Sequence, residues 1–294
     1  MNLFSLLQHL SEADTSASAP RRALLRQLGQ AGARSLAAGL PLALGIAAPA
    51  QARTNDTVLD AITLLLKLED LQVAFYSQAL AAPTISSASF QADLTLLQTQ
   101  QQNHASFLRQ TLRDAGAAVP TLPTFDFSGQ RGNAANPVLF PNVFTDVNSF
   151  LQLAQQLEDA SAAIYKGQAP FLAGNRLLLD GVLRMHSVEA RHAAHLRTLR
   201  RTISNARVKS WPSRADAAVS AAIQVPTQPA TNPASTTSIY TAEANEVQIM
   251  SGSRLVPYAT LLTGDKTVQS NALAEAFDEA LTTSQATALL NIFG

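Results

Sequence analysis

A pair of motifs that each occur twice along the 294-residue chain constrains the fold most strongly. In the first half Glu69 is followed seven residues later by Tyr76, and 89 positions further on Glu158 is followed in the same way by Tyr165. The second motif is His-Ala with Leu-Arg four residues after the His, and it starts at His104 and again 88 positions later at His192. Because both motifs keep their register, the chain is predicted to contain two related hairpins about a pseudo-twofold axis.

Apolar residues recur at helical spacing over about 55–82, 87–117, 144–173 and 175–204. The first two helices and the last two are joined by short links, so each pair is predicted to form an antiparallel hairpin. Residues 118–143 contain four prolines and two glycines, which indicates a long irregular connection. Two hairpins joined by one long crossover predict an all-α, ferritin-like four-helix bundle.

The remaining chain divides into a leader and a tail. We predict an export signal over 1–52, the bundle over 53–205, and an extended Pro/Ser/Thr-rich tail over 206–294. From about Ala272 an amphipathic pattern predicts a short C-terminal helix that packs on an apolar groove.

The leader combines Arg21 and Arg22 with an apolar stretch over 35–48 and the small-x-small sequence Ala50-Gln51-Ala52. It resembles a twin-arginine signal cleaved before Arg53, which predicts a periplasmic, extracellular or cell-envelope location. An ordinary secretory signal and a single membrane anchor are the alternatives. The apolar run is shorter than the roughly 20 residues that span a bilayer, so no stable membrane span is expected after cleavage.

Composition excludes several kinds of site. The formal net charge is zero, so the chain lacks the basic character of a nucleic-acid-binding protein. Cysteine is absent, which excludes disulfides, thiolate metal sites and cysteine nucleophiles. Histidine with aspartate or glutamate is the metal-binding chemistry that remains.

Glutamate and histidine are placed as such a metal site would need them. Between residues 53 and 205 there are three glutamates, Glu69, Glu158 and Glu189. Glu189 and His192 are three residues apart, so they project from one face of the fourth helix. His104 lies on the second helix, in the other hairpin. Carboxylate and imidazole ligands suit iron or manganese, and one or two ions are expected.

These residues resemble the ferritin-like superfamily over about 55–204, and more narrowly its exported, stress- or desiccation-associated bacterial branch. The tail sequences Ile239-Tyr240 and Ala276–Glu279 resemble that branch as well. The resemblance implies that Glu69 and Glu158 are terminal ligands, that His104 and His192 supply imidazole, and that Glu189 bridges two ions. The remaining bridging position falls on Gln101, a weak neutral ligand, which leaves three carboxylates where four would offset two divalent ions.

Neighbouring residues have alternative interpretations. Tyr76 and Tyr165 are either hydrogen-bonding or redox-active neighbours of the site or ordinary core aromatics. Asp70 and Asp159 are predicted on solvated faces because they lie one position past the glutamates. His186 and His195 are predicted to stay outside the ligand set.

The first functional hypothesis is an exported metal-binding protein that oxidises Fe(II) or consumes peroxide and so protects the cell envelope from stress. The second is a structural or protective bundle with a degenerate metal site, which Gln101 favours. A manganese catalase-like enzyme ranks below both, since it also requires a carboxylate at that position. The sequence leaves catalysis itself open, and a monomer or dimer is expected rather than a cage.

Overall fold

The computed structural model describes residues 55–85, 88–213, 215–216, 224–226, 236–240, 243, 247–250, 254–257, 275–276 and 278–294. All of them belong to the unit that spans Ala50–Gly294. The predicted export signal over 1–52 lies outside the described residues and stays a prediction.

Four long helices form the bundle. They are α1 (Asn55–Ala81), α2 (Ala88–Asp114), α3 (Val147–Gln168) and α4 (Arg176–Ile203). A short 3₁₀ turn, Ala169–Leu172, continues α3. α1 packs along α2 and α3 packs along α4, while α1 also contacts α3. The predicted helical fold of two hairpins with a long crossover is therefore confirmed.

Short polar side chains set where two of the helices begin. Asp146 precedes α3 and its carboxylate accepts a hydrogen bond from the backbone N–H of Ser149 at 2.7 Å. Asn175 precedes α4 and caps the N–H of Leu178 in the same way at 3.2 Å. Such caps satisfy backbone donors that have no partner within the helix and stabilise it by about 1 kcal/mol each.

Several phenylalanines of the crossover pack into the core, while its residues 131–138 are exposed. Phe127 and Phe144 lie in it, and both contact Phe75 of α1 with ring centroids 5.2 and 5.5 Å apart. Phe75 also stacks on Phe150 of α3 at 5.1 Å. This aromatic cluster joins the two hairpins, and it explains why so irregular a segment holds a fixed position.

The tail contributes short strands and a fifth helix. Two antiparallel strand pairs are described, β1 (Gln224–Pro226) with β2 (Thr236–Ser238) and β3 (Val247–Met250) with β4 (Arg254–Pro257). Helix α5 (Thr283–Leu290) packs against α1 and α3 and buries Leu289 and Leu290 in the core. The C-terminal segment therefore packs on the bundle, as predicted.

The start of α5 was predicted too early. The helix begins at Thr283, because Thr282 and Gln285 form a capping box that fixes its first turn. Ahead of it the chain is extended, and the N–H of Leu281 donates to the carbonyl of Ala163 on α3 at 3.0 Å. Gly167 permits this approach, since a Cβ there would collide with the Leu281 carbonyl oxygen.

Among the described helices, none is both long and apolar enough to cross a membrane.

Candidate metal centre

The five predicted ligands come together in the middle of the bundle. Glu69 lies on α1, His104 on α2, Glu158 on α3, and Glu189 with His192 on α4. The three glutamates are 0% exposed, and the histidines are 8% and 5% exposed. Charged side chains are rarely this deeply buried unless they are paired or bind an ion.

The first group of potential ligands joins α1, α2 and α4. His104 Nδ1 lies 2.9 Å from Glu189 Oε1 and 3.5 Å from Glu69 Oε1. One ligand atom from each of these three residues fits within 4.8 Å of the others, which is close enough for all three to contact a single ion.

The second group joins α3 with α4. His192 Nδ1 lies 3.3 Å from Glu158 Oε2 and 3.7 Å from Glu189 Oε2. Glu189 thus belongs to both groups and offers Oε1 to one and Oε2 to the other. A carboxylate placed in this way could bridge two ions, the role that the resemblance implied for it.

The donor atoms fit a metal better than they fit one another. Among the described residues, Glu69 Oε2, Glu189 Oε1 and the Nδ1 atoms of His104 and His192 are buried but have no hydrogen bond of good geometry. In each of the two groups, one ligand atom from every residue lies within 4.8 Å of the others. Buried polar atoms without partners are costly, and an ion that bound all of them would remove the cost.

Gln101, to which the resemblance assigned the remaining bridging position, lies beside Glu158 and Glu189. It is 0% exposed, and its Nε2 donates to Glu189 Oε2 at 3.1 Å and to Glu158 Oε1 at 3.3 Å. The amide therefore binds the two carboxylates as a hydrogen-bond donor. It contributes no negative charge to the site.

The tyrosines are hydrogen-bonded to the site in a crossed arrangement. Tyr76 of α1 donates to Glu158 of α3 at 2.5 Å, and Tyr165 of α3 donates to Glu69 of α1. Each hairpin thus fixes the terminal glutamate of the other. Both tyrosines are also 0% exposed, so each is a core aromatic as well as a hydrogen-bonding neighbour of the predicted ligands.

Residues 57–202 match the family model of the ferritin-like domain. They belong to the ferritin-like family. Among curated proteins, a sequence search finds no relative of the chain.

Two polar neighbours of the ferritin-like site were missed by sequence reasoning. Ser161 donates to Glu189 Oε2 at 2.9 Å, and Gln100 Oε1 lies 2.5 Å from His192 Nε2. If Nε2 carries the proton and donates to Gln100, Nδ1 keeps its lone pair for a metal. Gln72 stands at the position equivalent to Ser161, is 0% exposed, and has no hydrogen-bond partner for its amide among the described residues.

The pKa values of two glutamates and of both histidines in the site are raised. Burial, with the charge of Glu189, raises the pKa of Glu69 to about 8 and that of Glu158 to about 7. Burial opposes protonation of the histidines, but the adjacent glutamates outweigh it and raise the pKa of His104 to about 9 and of His192 to about 10. An ion must displace these protons to bind, so metal affinity should rise with pH.

His186 and His195 lie outside the ligand set, as predicted. His186 Nδ1 is 3.0 Å from the carbonyl oxygen of Ala162. His195 is 42% exposed and lies 3.3 Å from Asp93.

The prediction that Asp70 and Asp159 face solvent was wrong. Both are only 3% exposed. Residues of the crossover lie beside Asp70 and residues of the tail lie beside Asp159, so neither carboxylate faces open solvent. Each pairs with an arginine of its own hairpin, Asp70 with Arg109 and Asp159 with Arg197. The signal was present in the sequence, since both pairs recur at the repeat offset.

Proposed function

We propose that the ferritin-like domain binds iron or manganese between its four helices and that the bound metal reacts with oxygen or peroxide. The observation that carries this proposal is Glu189, a fully buried carboxylate shared by two groups of ligands from different helices. A carboxylate in a dry interior is costly unless cations offset it. The Glu/His set with bridging potential is the donor chemistry that iron and manganese prefer.

The side chains of the site would have different roles, some as metal ligands and others as groups that orient the ligands. Glu69 and His104 would hold one position and Glu158 and His192 the other, with Glu189 between them. Tyr76 and Tyr165 orient the terminal glutamates through hydrogen bonds, and their pKa values are raised by burial and the adjacent carboxylates, so they stay protonated. When bound, iron or manganese would supply electron transfer toward oxygen or peroxide. Oxidation of Fe(II) or removal of peroxide would then protect the compartment where the chain resides.

The test is elemental analysis of the chain purified without chelator or affinity metal, beside Glu189→Gln. Asp180→Asn is the matched control, because it neutralises an acid on the same helix that is exposed to solvent. We expect one or two iron or manganese ions per chain, lost in Glu189→Gln and kept in Asp180→Asn, with unchanged circular dichroism. Absence of metal from the unmodified chain, even after anaerobic loading with Fe(II) or Mn(II), would refute the proposal.

Chains that retain metal can then be assayed for consumption of oxygen and peroxide. Turnover that is lost in Glu189→Gln would support the oxidation or peroxide role. Bound metal without turnover would limit the function to metal binding.

We also propose that the chain is exported to the cell envelope or beyond. Arg21, Arg22 and the Ala50-Gln51-Ala52 sequence support this proposal. Cell fractionation should find a shortened chain beginning at Arg53 outside the cytoplasm, and replacement of both arginines by lysine should retain the full-length chain inside. Full-length protein in the cytoplasm of unmodified cells would contradict export.

A second candidate function is a protective scaffold whose metal site has degenerated. The contacts of Gln101 favour it, because the amide satisfies oxygens of Glu158 and Glu189 without any ion. This candidate predicts that metal changes neither the melting temperature nor the protease resistance of the chain. A melting temperature that rises on addition of iron or manganese would exclude it.

A further inference from the structure

The two buried Asp–Arg pairs of the repeat are equivalent in sequence but differ in what covers them. In the second hairpin Arg197 donates to Asp159 through Nε at 3.1 Å and through Nη2 at 2.6 Å. Tyr240 of the tail adds its hydroxyl, which donates to Asp159 Oδ2 at 2.6 Å. Asp216 adds a carboxylate 2.8 Å from Arg197 Nη1. The pair thus binds one phenol and one carboxylate, and Arg197 is 0% exposed.

In the first hairpin the corresponding pair has neither of these partners among the residues that the structure describes. Arg109 donates to Asp70 Oδ1, but Oδ2 is buried and has no hydrogen-bond partner among the described residues. The Arg109 side chain is 28% exposed, and within the described part of the chain Asp70 is the acid that pairs with it. In the first pair, Asp70 Oδ2 therefore still needs a hydrogen-bond donor, and the Arg109 guanidinium can still pair with a second carboxylate.

A pocket of about 590 Å³ lies beside this pair, between α1, α2 and the crossover. Its polar lining includes Asp70, Gln78, Gln102, Ser106 and Arg109, and Leu122, Pro123 and Phe125 supply an apolar wall. The volume falls in the range of small-molecule sites, which usually combine an apolar wall with a few convergent polar groups.

We propose that this pocket binds a small aromatic acid that carries a hydroxyl group. On binding, the Asp70 side chain, which lines the pocket, turns so that its buried Oδ2 accepts a hydrogen bond from the ligand hydroxyl. The ligand carboxylate pairs with Arg109, and the ligand ring lies against Phe125. These are the interactions that Tyr240 and Asp216 make with the equivalent pair, so the second hairpin serves as an internal example of what the first can recognise.

The test is isothermal titration calorimetry of the full chain with 4-hydroxyphenylacetate. Two analogues each remove one interaction, phenylacetate the hydroxyl and 4-hydroxyphenylethanol the carboxylate. Because each lost bond involves a charged protein group, we expect each analogue to bind about tenfold more weakly or worse. Equal affinity for all three compounds, or no saturable binding of the probe, would overturn the proposal.

Variants give an independent reading. Asp70→Asn and Arg109→Gln should each weaken binding of the probe by about tenfold or more. Asp180→Asn and Arg184→Gln are matched controls, because they alter an Asp–Arg pair on the exposed surface of α4, and they should bind normally. Normal binding by the pocket variants would overturn the proposal, and the analogue series decides the question should either variant fail to fold.

A second copy of the chain is the competing occupant. If the chain self-associates and Arg109→Gln abolishes the association, the pocket holds a partner chain and the small-molecule proposal is wrong. The titrations need no bound metal, so their failure leaves the proposed metal centre untouched.

Discussion

Replacing Gln101 by glutamate should convert the site into one with four carboxylates and make the stability of the chain depend more strongly on metal. The amide nitrogen of Gln101 lies 3.1 Å from Glu189 Oε2 and 3.3 Å from Glu158 Oε1. A carboxylate oxygen in its place would exchange two hydrogen bonds for two repulsions. At an effective dielectric constant of about 20, unit charges about 3 Å apart repel by roughly 5 kcal/mol.

Protonation of a carboxyl limits that cost in the metal-free chain. An ordinary glutamate has a pKa near 4.3, so at pH 7 it is charged. Keeping one carboxyl neutral costs about 1.4 kcal/mol for each pH unit above that pKa, or about 3 to 4 kcal/mol in total. We therefore expect the free energy of unfolding of metal-free Gln101→Glu to fall by about 3 to 4 kcal/mol at pH 7. With metal the added charge becomes attractive, so we expect the variant to bind two ions more tightly than the unmodified chain does.

The assay is urea denaturation of metal-free and metal-loaded protein, together with elemental analysis. Gln102→Glu is the matched control, because Gln102 is the next residue of the same helix but is exposed. Its stability should change by less than about 0.5 kcal/mol. A metal-free Gln101→Glu chain as stable as the original, or a control that loses as much, would refute the electrostatic reasoning.

Three further perturbations test the packing around the site. Gly167→Ala should destabilise the chain by roughly 1 to 3 kcal/mol, because the new methyl group displaces Leu281 and the segment that leads into α5; an unchanged thermal midpoint would show that this segment adapts freely. Arg197→Met should cost about 3 to 5 kcal/mol in urea denaturation by leaving Asp159 charged and buried, and a loss below about 1 kcal/mol would contradict that role. Burial and an adjacent carboxyl raise the pKa of Glu243 to about 8, so the folded chain keeps a proton that the unfolded chain has lost, and stability falls as pH rises from about 4.5 to 8. Glu243→Gln should therefore gain roughly 1 to 3 kcal/mol at pH 8.5 and nothing at pH 4, and an equal effect at both values would contradict the shift.

The parts of the structure that were predictable are those that repeat or follow a helical period. The bundle follows from four apolar stretches and the register of two motifs. The central cluster follows from Glu69, Glu158 and Glu189, because glutamate is otherwise absent from the bundle sequence. Helix ends were predicted to within a few residues, except at α5, where the amphipathic pattern extends past the cap at Thr282.

The parts that were not predictable depend on tertiary contacts between distant segments. Nothing in the local sequence marks Ser161 or Gln100 as neighbours of the site, since each is brought there by the packing of a different helix. Asp159 is a different case. Its burial depends on Tyr240, which lies 81 residues away in the tail, and periodicity on one helix carries no information about such a cover.

The position of Glu189 in both ligand groups has a thermodynamic consequence. Two ions that shared this carboxylate would repel each other, so filling either site would lower the affinity of the other by the same factor. A metal titration of the ferritin-like domain should then show two unequal steps, with the half-loaded chain as a stable species between them. The fraction of fully loaded chains would vary with the free metal concentration in the compartment where loading occurs, so the domain would register metal supply as well as bind it.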